Sequence, residues 1–162
     1  MAWSRLALGS ALLGAAAIAA AGTLDPGSAF ATAGIRLAAE SFEGPVNADV
    51  VHVVDGDTFE ARAAIWLGQS IEVRVRIAGI DAPELHARCD EERDRAEAAR
   101  NWLVHRIEGG QVRLSRVRYD KYGGRVDATV RDSGGDVGAA LIAAGLARPY
   151  RGGRRGGWCE AA

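Results

Sequence analysis

Hydrophobic and polar positions change their period along the chain, and each change marks an element. Residues 48–54, ADVVHVV, are a β-branched run that predicts a strand. From Thr58 onward Phe59, Ala61 and Ala63 alternate with Thr58, Glu60 and Arg62, a period of two that predicts a half-buried strand. Gly68-Gln69 predicts a hairpin turn. Beyond it Ile71, Val73, Val75 and Ile77 face one way, and Glu72, Arg74 and Arg76 the other. Residues 90–108 switch to helical spacing, with Ala96, Ala99, Leu103 and Ile107 on one stripe and Trp102 beside it. Asp90 is the expected N-cap, Glu91 and Glu92 suit the positive end of the helix dipole, and Gly109-Gly110 ends the helix. Strand signals return at 111–115 and 125–131. Asp136 then caps a short helix over 137–144, closed by Gly145. About five strands with two helices inserted predict a mainly β fold, a small barrel with helices packed on it.

Upstream the pattern is different. Arg5 precedes an apolar stretch from Leu6 to Gly22, the layout of a secretory signal or an uncleaved N-terminal anchor, and either reading exports the domain. Cleavage is expected after Ala21 or after Ala33. The organisation read from the sequence is a signal peptide or anchor over 1–33, a tether without sustained period over 34–46, and one domain over 47–162. The expected location is the periplasm or the exterior. Membrane contact is expected only if the leader is uncut.

Export changes the reading of the two cysteines. Cys89 and Cys159 are an even pair in an oxidising compartment, where a disulfide would tie the chain end to the loop after Glu84. Two unrelated buried thiols are the alternative. Neither CxxC nor HxxxH spacing accompanies them, which argues against zinc.

The formal net charge of −1 names no partner, but its distribution is uneven. Residues 37–110 hold 8 Arg against 15 Asp and Glu, whereas residues 111–162 hold 9 Arg and Lys121 against 5 acids. The later part is basic, which allows a polyanionic partner.

Three stretches could carry chemistry. In VVDGDT, residues 53–58, Gly56 permits a tight bend between Asp55 and Asp57; a solvated turn and a metal site are both compatible with it. An EF-hand is excluded, because Glu60 stands where that loop requires glycine. In RIAGIDAPE, residues 76–84, Asp81, Glu84 and two carbonyls share a bend stiffened by Pro83, an oxygen set of the kind hard cations take. Simple pairing of these acids with nearby arginines is the competing reading. In YDKYGGR, residues 119–125, Lys121 and Arg125 flank a turn, as an ordinary basic hairpin or as a phosphate-directed pair. Acids for a cation together with arginines for phosphate charge are what phosphodiester hydrolysis needs. No G-x-S-x-G, P-loop or G-x-G-x-x-G motif is present.

In this order, and with VGAALIAAGLARPY after them, the three motifs resemble the staphylococcal nuclease (thermonuclease) family over roughly residues 48–150, with an exported bacterial homologue expected. The resemblance implies a five-strand Greek-key OB-type barrel with two packed helices. It implies a Ca²⁺-dependent, sugar-nonspecific nuclease that acts on single-stranded DNA or RNA and leaves 3′-phosphate ends. It further implies that Asp57, Asp81 and the Ala82 carbonyl hold calcium, that Arg76 and Arg125 bind the scissile phosphate, and that Glu84 orders or deprotonates the water. Lys121 and Tyr122 fall where the family meets a terminal phosphate, Tyr150 where an aromatic stacks on the base, and Asp55 in a supporting position. Gly123-Gly124 is one glycine longer than the family pattern and is expected to re-aim Arg125; the loop after Glu84 is shorter, and the family's long final helix is not expected within residues 151–162. A non-catalytic nucleic-acid-binding OB-type module is the alternative function, and a structural envelope protein has only the leader behind it. A monomer without a protein partner is expected.

Overall fold

The computed structural model describes residues 41–121 and 123–159; the leader, most of the tether and Tyr122 lie outside the described residues. The alternating segments form the long strands of one sheet: β2 (Val46–Val53), β3 (Thr58–Trp66), β4 (Gln69–Ile77), β6 (Gln111–Tyr119) and β7 (Arg125–Asp132). Four two-residue strands complete the set, β1 (Ser41–Phe42), β5 (Ile80–Asp81), β8 (Gly135–Asp136) and β9 (Arg148–Pro149). Helix α1 spans Asp90–Ile107 and α2 spans Val137–Ala143. Ser41–Phe42, expected within the tether, pair with Val117 and Arg118 of β6.

The sheet runs β6-β2-β3-β4-β7 and closes through β6–β7, a five-strand barrel without a free edge among these five. All neighbours are antiparallel except β4 and β7, which run parallel with Arg74 opposite Arg125 and Arg76 opposite Asp127. This parallel pair sets the arginines of two distant motifs side by side.

The barrel is filled from the alternating faces: Val53, Phe59, Val75, Ile77, Leu114 and Val130 are nearly inaccessible to solvent. Leu103 and Ile107 of α1, with Val137 and Leu141 of α2, pack onto the same core. The α1 stripe is as its spacing predicts. Its N-cap is not Asp90, however, but Cys89, without a side-chain cap bond, so Asp90 is the first helical residue. Asp136 does cap α2, accepting from Ala139 N at 2.8 Å.

Strict alternation fails at three places, each for a local reason. Ile71 is exposed because the β3–β4 hairpin, which turns at Leu67-Gly68 with Gly68 at φ +71°, runs past the body of the barrel. Continuing the period from Val112 and Leu114 would aim Arg116 inward. A bulge with Arg116 at φ +50° instead turns Val117 toward the core. Arg76, on the polar face by period, is buried, because the chain around Asp57 and Ile80 covers that end of β4.

Candidate active site

The turn VVDGDT is stitched by Val54 N and Asp55 N, both donating to Thr58 O at 2.9 and 3.1 Å. Asp57 N donates to Asp55 Oδ1 at 3.1 Å, so Asp55 shapes the turn. A Cβ on Gly56 would sit 2.7 Å from Ala99 Cβ of α1 and 3.1 Å from Ala82 Cβ. The glycine is required by close approach of the helix and the Asp81–Glu84 bend. The turn is therefore clamped against protein and differs from a solvated hairpin.

Asp57 is buried. Its Oδ1 accepts from the Thr58 hydroxyl at 2.9 Å and its Oδ2 from Arg76 Nη2 at 2.7 Å. Arg76 also donates to Ile80 O at 3.2 Å. Removal from water pushes the Asp57 carboxyl up from 3.8 to about 6; Asp55 adds repulsion, while Arg76, Thr58 and Arg155 oppose the rise. A buried carboxylate that stays hard to ionise beside an arginine has room for more positive charge.

The second acid group lies on the chain leaving β4. Ile80 and Asp81 pair with Pro149 and Arg148, which fixes the bend. Asp81 and Ala82 are buried, whereas the Glu84 side chain is 54% exposed. Arg155 reaches both acids: its Nε lies 3.2 Å from Asp81 Oδ1, and its Nη1 donates to Glu84 Oε1. The Asp81 contact is close but misdirected, so buried Oδ1 accepts no hydrogen bond among the described residues. Burial alone would lower the Arg155 guanidinium's proton affinity; Asp81, Glu84 and Asp57 reverse this and raise it above the ordinary value.

Arg125 is brought in by the parallel β4–β7 pairing, and its Nε donates to Asp120 Oδ2. Gly123 and Gly124 before it both take positive φ, +67° and +66°. A cavity of about 300 Å³ is lined by Asp55, Asp57, Thr58, Arg76, Glu84, Arg125 and Arg155. A neighbouring one of about 390 Å³ shares Arg76, Arg125 and Arg155 and adds Arg118, Lys121, Tyr150 and Arg151. Asp81 and Ala82 line a third with Glu84 and Arg155. Of the residues singled out from the sequence, Asp57, Arg76, Glu84 and Arg125 share the first cavity, Lys121 and Tyr150 line the second, and Asp81 and Ala82 line the third with Glu84; Tyr122 lies outside the described residues. Tyr150 is present, with its hydroxyl donating to Gly153 O at 2.7 Å.

Arg155 was not legible as a site residue. It sits in RPYRGGRRGGWC, a Gly/Arg-rich stretch without period. The one clue was the cysteine at its end. Cys89 and Cys159 do form a disulfide, 70 residues apart in sequence, which returns this stretch to the acidic bend.

As donors, Asp57, Asp81 and the Ala82 carbonyl offer the hard oxygens that a divalent cation such as calcium takes. The buried, unbonded Asp81 Oδ1 and the desolvated Asp57 carboxyl are groups whose burial a cation would compensate. The residues therefore fit such an ion.

A closed mixed barrel with an acid-and-arginine cluster at one end defines the class. Residues 74–156 match the family described as Staphylococcal nuclease homologue, and the chain belongs to that family. It is 35% identical to the probable endonuclease LCL3 of Phaeosphaeria nodorum over 52% of this chain and 29% of that protein. The Leptosphaeria maculans protein of the same name is 36% identical over 52% of this chain and 30% of its own. For that of Coccidioides posadasii the values are 39%, 48% and 26%. The chain thus matches less than a third of the length of these fungal relatives.

Proposed function

We propose that the domain is an exported Ca²⁺-dependent nuclease that hydrolyses phosphodiester bonds in single-stranded DNA and RNA and leaves 3′-phosphate ends. The observation that carries this is that Asp57, Arg76, Glu84 and Arg125 line one cavity. The endonuclease names of the relatives support it.

In this reading Asp57, Asp81 and the Ala82 carbonyl hold the cation, which polarises the phosphoryl oxygen when bound. Arg76 and Arg125 turn their guanidinium forks to the phosphate oxygens and offset the charge that grows as water attacks. Both are ion-paired with acids, Arg76 with Asp57 and Arg125 with Asp120, so each arrives pre-oriented. Glu84 takes the proton of the attacking water. The new P–O bond forms as the bond to the 5′-oxygen breaks, that oxygen leaves as an alcohol by taking a proton from solvent water, and Glu84 returns its proton to solvent. Lys121, Tyr122 and Tyr150 hold the nucleotide beside the scissile bond. The disulfide suits an oxidising compartment and supports export.

The pairing of Glu84 with Arg155 favours one competing reading, a barrel that binds nucleic acid without cutting it. Incubation of denatured DNA with the purified protein in Ca²⁺, then in EGTA, separates the two. Cleavage that EGTA abolishes is the expected result. Retained binding without cleavage in calcium would establish the module instead.

A further inference from the structure

Among the described residues, Arg155 is the cation that two of the site's acids hold from outside the barrel strands, and its position is built. The segment that carries it is fastened before it by β9 on β5 and by Tyr150 N donating to Gly79 O at 2.9 Å. It is fastened after it by the Cys89–Cys159 disulfide. Between these points Trp158 is buried under the Arg148 guanidinium, 3.6 Å from the ring centre, and Arg148 also donates to Gly157 O at 3.0 Å. Arg155 is thus delivered to Asp81 and Glu84 by a segment anchored on both sides.

We propose that Arg155 sets the affinity of the Asp57 and Asp81 carboxylates for a divalent cation, because its guanidinium, docked on Asp81 and Glu84, supplies the positive charge that the ion would supply. Docking of Arg155 and binding of the ion therefore compete. The inference rests on the reading that Asp57 and Asp81 take calcium. Three acids faced by Arg76 and Arg155 tolerate one tethered charge. An ion arriving beside a guanidinium that stays would meet like-charge repulsion at a few ångströms, weakly screened by solvent. An ion that displaces it must break the Asp81 and Glu84 contacts. Reduction of the disulfide frees one end of the segment and lowers the local concentration of the guanidinium at the acids.

The test is calorimetric titration of CaCl₂ into the full chain without nucleic acid, comparing wild type, Arg155→Gln, Arg155→Lys and Arg113→Gln. Arg155→Gln is expected to tighten calcium roughly tenfold or more. Arg155→Lys falls between, since a point charge keeps part of the repulsion but loses the fork. Arg113→Gln, which removes an exposed charge of β6 that lines none of these cavities, moves the constant by less than about twofold, as exposed charges at greater distance do. Dithiothreitol tightens calcium in wild type and leaves Arg155→Gln unchanged. Equal or weaker affinity in Arg155→Gln, with wild type binding calcium, overturns the proposal and leaves the calcium site standing. Absence of calcium binding in both overturns the calcium reading and the proposal together. A reductant effect of equal size in both proteins overturns the part played by the tether. Thermal unfolding in EGTA confirms that each variant is folded.

Discussion

The two halves of the site are built on opposite principles. On the barrel side Asp57, Thr58 and Arg76 are placed by strand register, with Thr58 opposite Arg76, and the Asp57 and Arg76 side chains are only 10% and 8% exposed. On the other side Glu84 and Arg155 are 54% and 35% exposed, and they meet across a long separation in sequence. A group inside the register cannot move without disturbing the sheet, and its charge is worth much because water is absent. A group on the open side can change partner at small cost to the fold. The site therefore combines a fixed floor with an exchangeable wall.

Four experiments probe this contrast. The largest effect is expected from Glu84→Gln, which should reduce turnover by about 10²–10⁴-fold. Its stability should stay within about 0.5 kcal/mol of wild type, and DNA binding should change little. Single-turnover cleavage, denaturant melts and filter binding check the three parts; equal loss of binding and turnover would make Glu84 structural. Arg76→Gln should do what Glu84→Gln does not: lose turnover and destabilise the fold by about 3 kcal/mol in urea at pH 8, since it strands a buried carboxylate. The loss should shrink at pH 5, where Asp57 protonates. A stable Arg76→Gln protein would mean that the floor is not fixed by this pair.

Gly56→Ala introduces a methyl 2.7 Å from Ala99 Cβ, and an overpacking cost of about 1–3 kcal/mol is expected by thermal unfolding. The smallest effect is in pH. The Asp57 carboxyl is pushed up by burial to about 6 from 3.8. Between these values the folded state holds more protons than the unfolded one, so this group's contribution to stability falls as pH rises through the window and is level above it. Calcium, which needs the ionised form, should bind more tightly across the same rise. Urea melts in EGTA and calcium titrations at pH 5, 6, 7 and 8 measure both, and parallel rather than opposite trends would contradict the assignment.

Most of the barrel was legible because its strands are half-buried and carry their period in the sequence. Phe59, Ala61 and Ala63, like Val126, Ala128 and Val130, announce a face directly. The α1 stripe did the same at helical spacing. What period could not show depends on chain brought from far away. By period Arg76 falls on the polar face, and its burial comes only from the chain at Asp57 and Ile80 laid over it. The acids and arginines were recognisable through three motifs in order, and the structure brings Asp57, Arg76, Glu84 and Arg125 to one cavity. Arg155 had neither period nor motif; the β9–β5 pairing before it and a disulfide across 70 residues after it put it there. Ile71 shows the opposite circumstance, a hairpin whose pattern continues after its cover has ended.

The stretch from β9 to Cys159 has fixed ends and glycine pairs on both sides of Arg154-Arg155, with Gly152 and Gly153 at φ +97° and +93°. Such a span acts as a ruler. Its residue count decides where along the acidic bend the guanidinium falls, whereas most of its side chains have no say. Many substitutions there would pass unnoticed, but the loss or gain of a single glycine would move the charge by about one residue length, roughly 3.5 Å, enough to exchange one carboxylate neighbour for none.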